Sequence, residues 1–371
     1  MLSRLRRGTA VAGLVLVAVL GVGSWASAEG PTPLTGPPGV AAWDADTTLG
    51  VRLPEPATSS PAEVAAFFDT LPLAQRDALA VRHPQVVGNL DGAPVALRLR
   101  ANALAVEEER AKEQSRAEDP SRSEGERAAA AAKASRYAGL SGRQLLAFDP
   151  RGRGQVAEVF GDLAHDGRTA VLVPGADVDL TTYDRGSADG YDTLAGMARS
   201  LRAASGDRVA VVAWAGYPTP RGFGVDVARE ELADAGAERL DRLVAGLAPV
   251  TGPVALFCHS YGSVVCGRSE PDPRLVSQLV VLASPGMGLE RAEQVAVPVW
   301  AVRRNAEDWI SEVPNVSLFG FGHGADPTAA EFHARLLPSA GSHGHSGYFA
   351  PGSASLAAFA ALALTGSPSA S

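Results

Sequence analysis

The sequence predicts an α/β chain, with a mostly parallel sheet covered by helices on both faces and an N-terminal helical extension. Two observations lead there. After Leu140, short apolar runs bounded by Gly and Pro alternate with amphipathic stretches of helical period. One of those runs ends in a tight turn with a central serine and then small residues, Cys258-His259-Ser260-Tyr261-Gly262-Ser263. The composition allows it, since 371 residues that are 46% hydrophobic and 20% charged suffice to bury a core. With 33 basic against 41 acidic residues and no long basic stretch, the chain is not expected to bind nucleic acid by neutralising phosphates. Two cysteines are too few for a disulfide scaffold or a cysteine-rich zinc site.

In chain order, residues 1–28 read as a signal peptide. Arg4, Arg6 and Arg7 precede an apolar run from Thr9 to Val22, and Ala26-Ser27-Ala28 supplies the small residues of a cleavage site. That run is about 14 residues, short of the roughly 20 that a spanning helix needs. The expectation is export without a stable membrane anchor. Residues 29–140 form the N-terminal arm and helical region. Glu29 to about Pro56 is rich in Pro, Gly and Thr. Ser60-Pro61-Ala62-Glu63 then has the N-cap, first-turn proline and capping-box glutamate of a helix buried through Val64, Phe67 and Phe68. A second helix spans Leu73–Arg82 and stops at Pro84. A third runs from near Pro94 into the charged stretch Glu107–Lys112, and Asp119-Pro120-Ser121 separates it from another helix. The charge run reads as a solvated helical hairpin, with a partner-binding arm as the alternative.

Residues 141–371 hold the α/β part. Gln144–Asp149 and Gln155–Phe160 form a hairpin, and Thr169–Val173, Val209–Trp214, Val254–Phe257, Leu279–Ala283 and Val297–Val302 complete the strands. Helices are expected around Leu194–Leu201, over 225–247 and at the C-terminus.

The turn at Ser260 has the strand–turn–helix setting of a nucleophile elbow, which lifts a hydroxyl above the sheet edge. Gly262 meets the need for a small neighbour, whereas Cys258 stands where a glycine is usual. A serine nucleophile needs a base, an orienting acid and oxyanion donors. Asp308, with Glu307 as the alternative, follows the strand Val297–Val302. Gly341-Ser342-His343-Gly344-His345-Ser346-Gly347-Tyr348 offers two histidines in a flexible loop, with His323 and His333 weaker candidates. His83 and His165 precede the serine, against the usual order, and His259 is locked beside it. The oxyanion donors are expected to be the N–H groups of Tyr261 and Ala176, the latter after Pro174-Gly175.

The segment from Val171-Leu172-Val173-Pro174-Gly175 through His259-Ser260-Tyr261-Gly262-Ser263 to His345-Ser346-Gly347-Tyr348-Phe349 resembles an actinobacterial α/β-hydrolase family once catalogued as a domain of unknown function. Val87-Gly88-Asn89-Leu90-Asp91-Gly92 and Arg100-Ala101-Asn102 resemble that family's N-terminal helical part. The resemblance implies the α/β-hydrolase fold and, by position, Ser260, Asp308 and His345 as the triad; it supplies no substrate. Local chemistry also favours His345 over His343. Gly344 and Gly347 let the chain turn sharply, and Tyr348-Phe349 can pack the loop down. The expected activity is cleavage of small or lipid-like carboxylic esters through an acyl-enzyme, with no cofactor. Peptidase or amidase chemistry and a non-catalytic envelope protein on the same fold are the alternatives.

Other features are weaker. Asp177, Asp179 and Asp184 could be metal ligands, but no zinc-like histidine spacing accompanies them, and turn capping or pocket polarity is the better reading. Trp214, Tyr217 and Phe223 could wall an acyl pocket, but aromatic residues at a strand end are more often simple packing, and that is the better reading. Cys258 and Cys266 fall on facing sides of a strand and its following helix, so either a disulfide or two buried thiols is expected.

Overall fold

The computed structural model describes residues 36–186, 190–222, 231–302, 305–312, 317–318 and 321–366. Residues 1–28, read above as a signal peptide, the start of the arm, Phe223 and the beginning of the expected 225–247 helix lie outside them. The N-terminal region is helical: α1 (Val40–Asp44), α2 (Pro61–Thr70), α3 (Leu73–Arg82), α4 (Pro84–Asn89), α5 (Val95–Glu118) and α6 (Glu124–Ala138). The Ser60–Glu63 capping box closes in both directions, and Val64 and Phe68 are buried while Phe67 is partly so. Pro84 does not simply end the helical run. It opens α4, because a proline in the first turn gives up an N–H that has no partner there anyway. The charge run folds into the α5–α6 hairpin, but it is not wholly solvated. Glu109 and Glu113 are buried, and Gln85 Nε2 donates to Glu109 at 2.7 Å.

The sheet follows: β1 (Leu145–Asp149), β2 (Gln155–Phe160), β3 (Thr169–Val173), α7 (Leu194–Ala204), β4 (Ala210–Ala215), α8 (Glu231–Leu247), β5 (Val254–His259), α9 (Gly262–Arg268), β6 (Val276–Leu282), β7 (Val299–Val302), β8 (Arg335–Leu337) and α10 (Ala354–Thr365). Its eight strands lie in the order β1-β2-β4-β3-β5-β6-β7-β8, and only β2 runs against the others. Strand β8 was not visible in the sequence: it has three residues, two of them exposed, at the sheet edge. The central strands are buried on both faces, hence their unbroken apolar runs. Alternate side chains pack each way. Leu172, Val211, Phe257 and Val280 meet the side of α7 and α10, while Val173, Val212, Leu256 and Val281 meet α8 and α9. Among the described residues no helix is long and apolar enough to cross a membrane.

Side chains from the helical region complete the outer edge of β1. Asn89 accepts from the Phe148 N–H at 2.9 Å and donates to the Phe148 carbonyl at 2.8 Å, as a neighbouring strand would. Asn102 donates to Leu145 O and to Gly88 O, both at 2.9 Å, and Arg98 donates to Leu146 O at 2.9 Å while pairing with Asp91 at the same distance. All four side chains are buried. The N-terminal motif read in the sequence is thus a device that satisfies strand backbone.

Candidate active site

Strand β5 runs straight into the turn at Ser260. The serine sits in the left-handed region, with φ +54°, a conformation costing about 1–3 kcal/mol for a residue with a Cβ. Backbone bonds hold it there. The Ser260 N–H donates to Leu282 O at 3.0 Å, and its carbonyl accepts from the Ser263 N–H at 2.9 Å and the Ser263 hydroxyl at 2.6 Å. A Cβ on Gly262 would lie 2.4 Å from Val173 O, so the helix can leave the turn only without one. Gly175 is equally constrained: a Cβ there would come within 2.6 Å of Ser260 Cβ and 2.9 Å of its Oγ. Cys258, in place of the usual glycine, is joined to Cys266 with Cα atoms 6.4 Å apart, so the two-thiol alternative does not hold. The bond ties the end of β5 to α9.

Ser260 opens into a cavity of about 270 Å³ shared with His259, His345, Trp309, Ala176 and Met197. The expected acid and base meet here. Asp308 follows β7, is 1% exposed, and lies 2.8 Å from His345 Nδ1. It also accepts from the Tyr348 hydroxyl at 2.7 Å and the Ile310 N–H at 3.1 Å. Burial pushes this carboxyl up, but the bonds from His345, Tyr348 and the Ile310 N–H outweigh it and hold the group below its ordinary range. An ionised carboxylate can only accept, so His345 Nδ1 carries the hydrogen and Nε2 is the nitrogen left for proton transfer. Asn305 Nδ2 donates to Gly344 O at 2.8 Å, pinning the histidine loop to the acid loop.

The alternatives fall elsewhere. Glu307 and His343 pair with each other at 3.3 Å, their side chains 64% and 74% exposed. His323 packs its ring on Tyr261, and His333 pairs with Glu293. His83 and His165 bind Asp46 and Asp162, remote from the cavity. The two expected oxyanion donors border the serine: Ala176 lines the cavity, and a Cβ on Gly175 would lie 3.2 Å from the Tyr261 nitrogen.

The weaker features take the plainer of their two readings. Trp214 and Tyr217 do not wall the cavity. They stack on each other at 5.7 Å in the core on the α8 side, because alternation along β4 turns Trp214 away from the site. Tyr217 serves the site indirectly, its hydroxyl donating to Pro174 O at 2.6 Å. The apolar wall is Val178, Leu194, Met197 and Trp309. The three aspartates are engaged in the capping and pairing roles of the blander reading. Asp177 accepts from the Gly222 N–H, Asp179 pairs with Arg153, and Asp184 pairs with Arg136 and Arg143. Among the described residues, no group of three or more His, Cys, Asp or Glu is arranged to hold a metal ion. Sequence reasoning missed the Tyr348 hydroxyl on Asp308, the Asn305 clip and the His259 side chain.

The strand order, the single reversed strand and the serine turn after β5 define an α/β-hydrolase fold. Residues 149–318 match the family model described as Alpha/beta hydrolase. An uncharacterized protein of Mycobacterium tuberculosis is 25% identical over 376 residues, an alignment covering 84% of this chain and 57% of the relative. An uncharacterized protein of Mycobacterium bovis is 34% identical over 163 residues, covering 41% of this chain and 59% of its own length. The chain therefore spans less than two thirds of the curated relatives it matches. Among solved structures it is similar to Aspergillus fumigatus lipase B, at 11% identity and a TM-score of 0.35 with 57% of each chain covered. It is also similar to Thermogutta terrifontis esterase 2, at 12% identity and a TM-score of 0.28, covering 53% of this chain and 82% of the other.

Proposed function

We propose that this chain is a secreted serine hydrolase that cleaves small or lipid-like carboxylic esters through an acyl-enzyme. The observation that carries the reading is buried Asp308 at 2.8 Å from His345, whose ring lines the same cavity as a serine held at positive φ. In the reaction, Ser260 Oγ attacks the ester carbonyl as His345 Nε2 takes its proton. Asp308 stays ionised and holds the imidazolium. The N–H groups of Tyr261 and Ala176 receive the oxyanion. The C–O bond to the leaving alcohol then breaks, and that alcohol takes the proton from His345. Water, deprotonated by the same imidazole, attacks the acyl-serine; the bond to Ser260 Oγ breaks, His345 returns its proton to that oxygen, and the acid is freed. No step calls for a cofactor. Export is supported by the basic–apolar–small pattern of residues 1–28 and accords with a disulfide beside the nucleophile.

A fluorophosphonate probe tests the nucleophile: wild type is expected to label at Ser260 and Ser260→Ala not at all. Labelling elsewhere, or none, overturns the reading. A panel of p-nitrophenyl esters and aminoacyl anilides then separates ester from amide cleavage, with turnover of anilides alone transferring the assignment to an amidase.

A further inference from the structure

The residue before the nucleophile has a task of its own. His259 ends β5, and its Nε2 lies 2.9 Å from the backbone carbonyl oxygen of His345, 86 positions away in the chain. A carbonyl only accepts, so His259 Nε2 carries a hydrogen and donates it. The two imidazole rings lie 4.8 Å apart between centroids, and the His345 ring also packs on Trp309 at 4.5 Å. His345 is otherwise carried by a loop with positive φ at Gly341 and Gly344, positions that favour conformational freedom. Asn305 fixes the residue before it and Tyr348 the turn after it. Among the described residues, the bond from His259 is the hydrogen bond that joins His345 itself to the strand end bearing Ser260.

We propose that His259 is a positioning residue, whose hydrogen bond to the His345 carbonyl registers the base against the nucleophile. The inference rests on the reading of Ser260, Asp308 and His345 as a triad. Its physical ground is that a general base must stand within hydrogen-bond reach of the proton it takes, and a misplacement of about 1 Å costs on the order of 100-fold. A second requirement is met at the same place. An imidazolium next to His345 would oppose the charge the base gains in the transition state, and burial together with His345 keeps His259 neutral, its pKa lowered to about 3. Trp309 presents an aromatic ring within the range at which a cation is attracted, so the base's charge is formed beside a neutral imidazole and an indole.

The test uses His259→Ala and His259→Gln in the full chain, glutamine placing an N–H at nearly the reach of Nε2. For the alanine variant, kcat and the rate of fluorophosphonate labelling are expected to fall about 10- to 100-fold with KM within about twofold. Glutamine should restore both to within about threefold. A readout free of substrate is the downfield Nδ1–H proton resonance of His345, identified by its loss in His345→Ala. It should broaden in the alanine variant and stay sharp in the glutamine one. Wild-type kcat with an unchanged resonance in folded His259→Ala overturns the proposal, as does equal impairment by alanine and glutamine. If the alanine variant fails to fold, the glutamine variant alone decides: near wild-type values support the bond, and a 10-fold or larger loss overturns it. If wild type fails to label at all, the hydrolase reading fails instead, and the resonance in the two variants still decides whether His259 positions His345.

Discussion

Asp308–His345 and Glu307–His343 are built from the same chemistry one or two residues apart, yet they end in opposite environments. In the first pair the side chains are 0% and 17% exposed and 2.8 Å apart; in the second they are 64% and 74% exposed and 3.3 Å apart. Asp308 has three donors converging on it, while Glu307 faces water. A carboxylate and an imidazole in water are a weakly coupled pair that salt screens. The same groups largely desolvated, with three donors on the carboxylate, fix one tautomer and one ring orientation. Environment, more than residue type, separates the pair proposed as catalytic from its neighbour.

The largest expected effect tests that contrast directly. His345→Ala and Asp308→Asn should each lower ester turnover by about 10⁴- to 10⁶-fold, measured as kcat on the best p-nitrophenyl substrate. Equal losses for Glu307→Gln or His343→Ala would exchange the roles of the two pairs. Tyr348→Phe should come next. It removes the donor to Asp308 Oδ2 and leaves a buried acceptor short of a partner, for a loss of about 1–3 kcal/mol in urea unfolding and roughly 10-fold in kcat. A variant as stable and active as wild type would show that the phenol only fills space.

Acidification gives a smaller, signed effect. The folded Asp308 carboxyl titrates below its unfolded value, so its contribution to stability is fully present above about pH 4 and is lost as pH falls through the folded value. The melting-temperature gap between wild type and Asp308→Asn should therefore be widest above about pH 4 and narrow on acidification. A gap that widens below pH 4 reverses the assignment of the sign. The smallest effect belongs to the exposed pair: Glu307→Gln should leave kcat within about twofold and His343→Ala lower it only a few-fold, with unfolding midpoints unmoved.

Much of the architecture was legible because local signals agreed with it. The buried strands are continuous apolar runs, and the serine turn stands where a strand gives way to small residues. The usual chain order of nucleophile, acid and base then narrowed the acid to Asp308 or Glu307 and the base to His343 or His345, with His323 and His333 behind them. What stayed hidden is non-local. Nothing near Tyr348 announces that its hydroxyl meets Asp308, 40 positions earlier, or that His259 reaches the carbonyl of His345. Trp214 carried two readings because an aromatic at a strand end has two faces to choose from, and only the packed sheet tells which one it takes. Arg335–Leu337 escaped notice because an edge strand with two exposed residues carries no apolar period.

The side chains of Asn89, Asn102 and Arg98 on the rim of β1 bear on what happens if the chain is cut. A truncated form starting at the sheet would lose the groups that occupy Phe148, Leu145 and Leu146, leaving a bare strand of apolar residues. Such a rim is a template for further strands, so molecules released by proteolysis between the helical region and β1 would be prone to stack edge to edge. The helices therefore act as a built-in guard against polymerisation, and a protease site in that connection would be a route to aggregates as well as to loss of the folded chain.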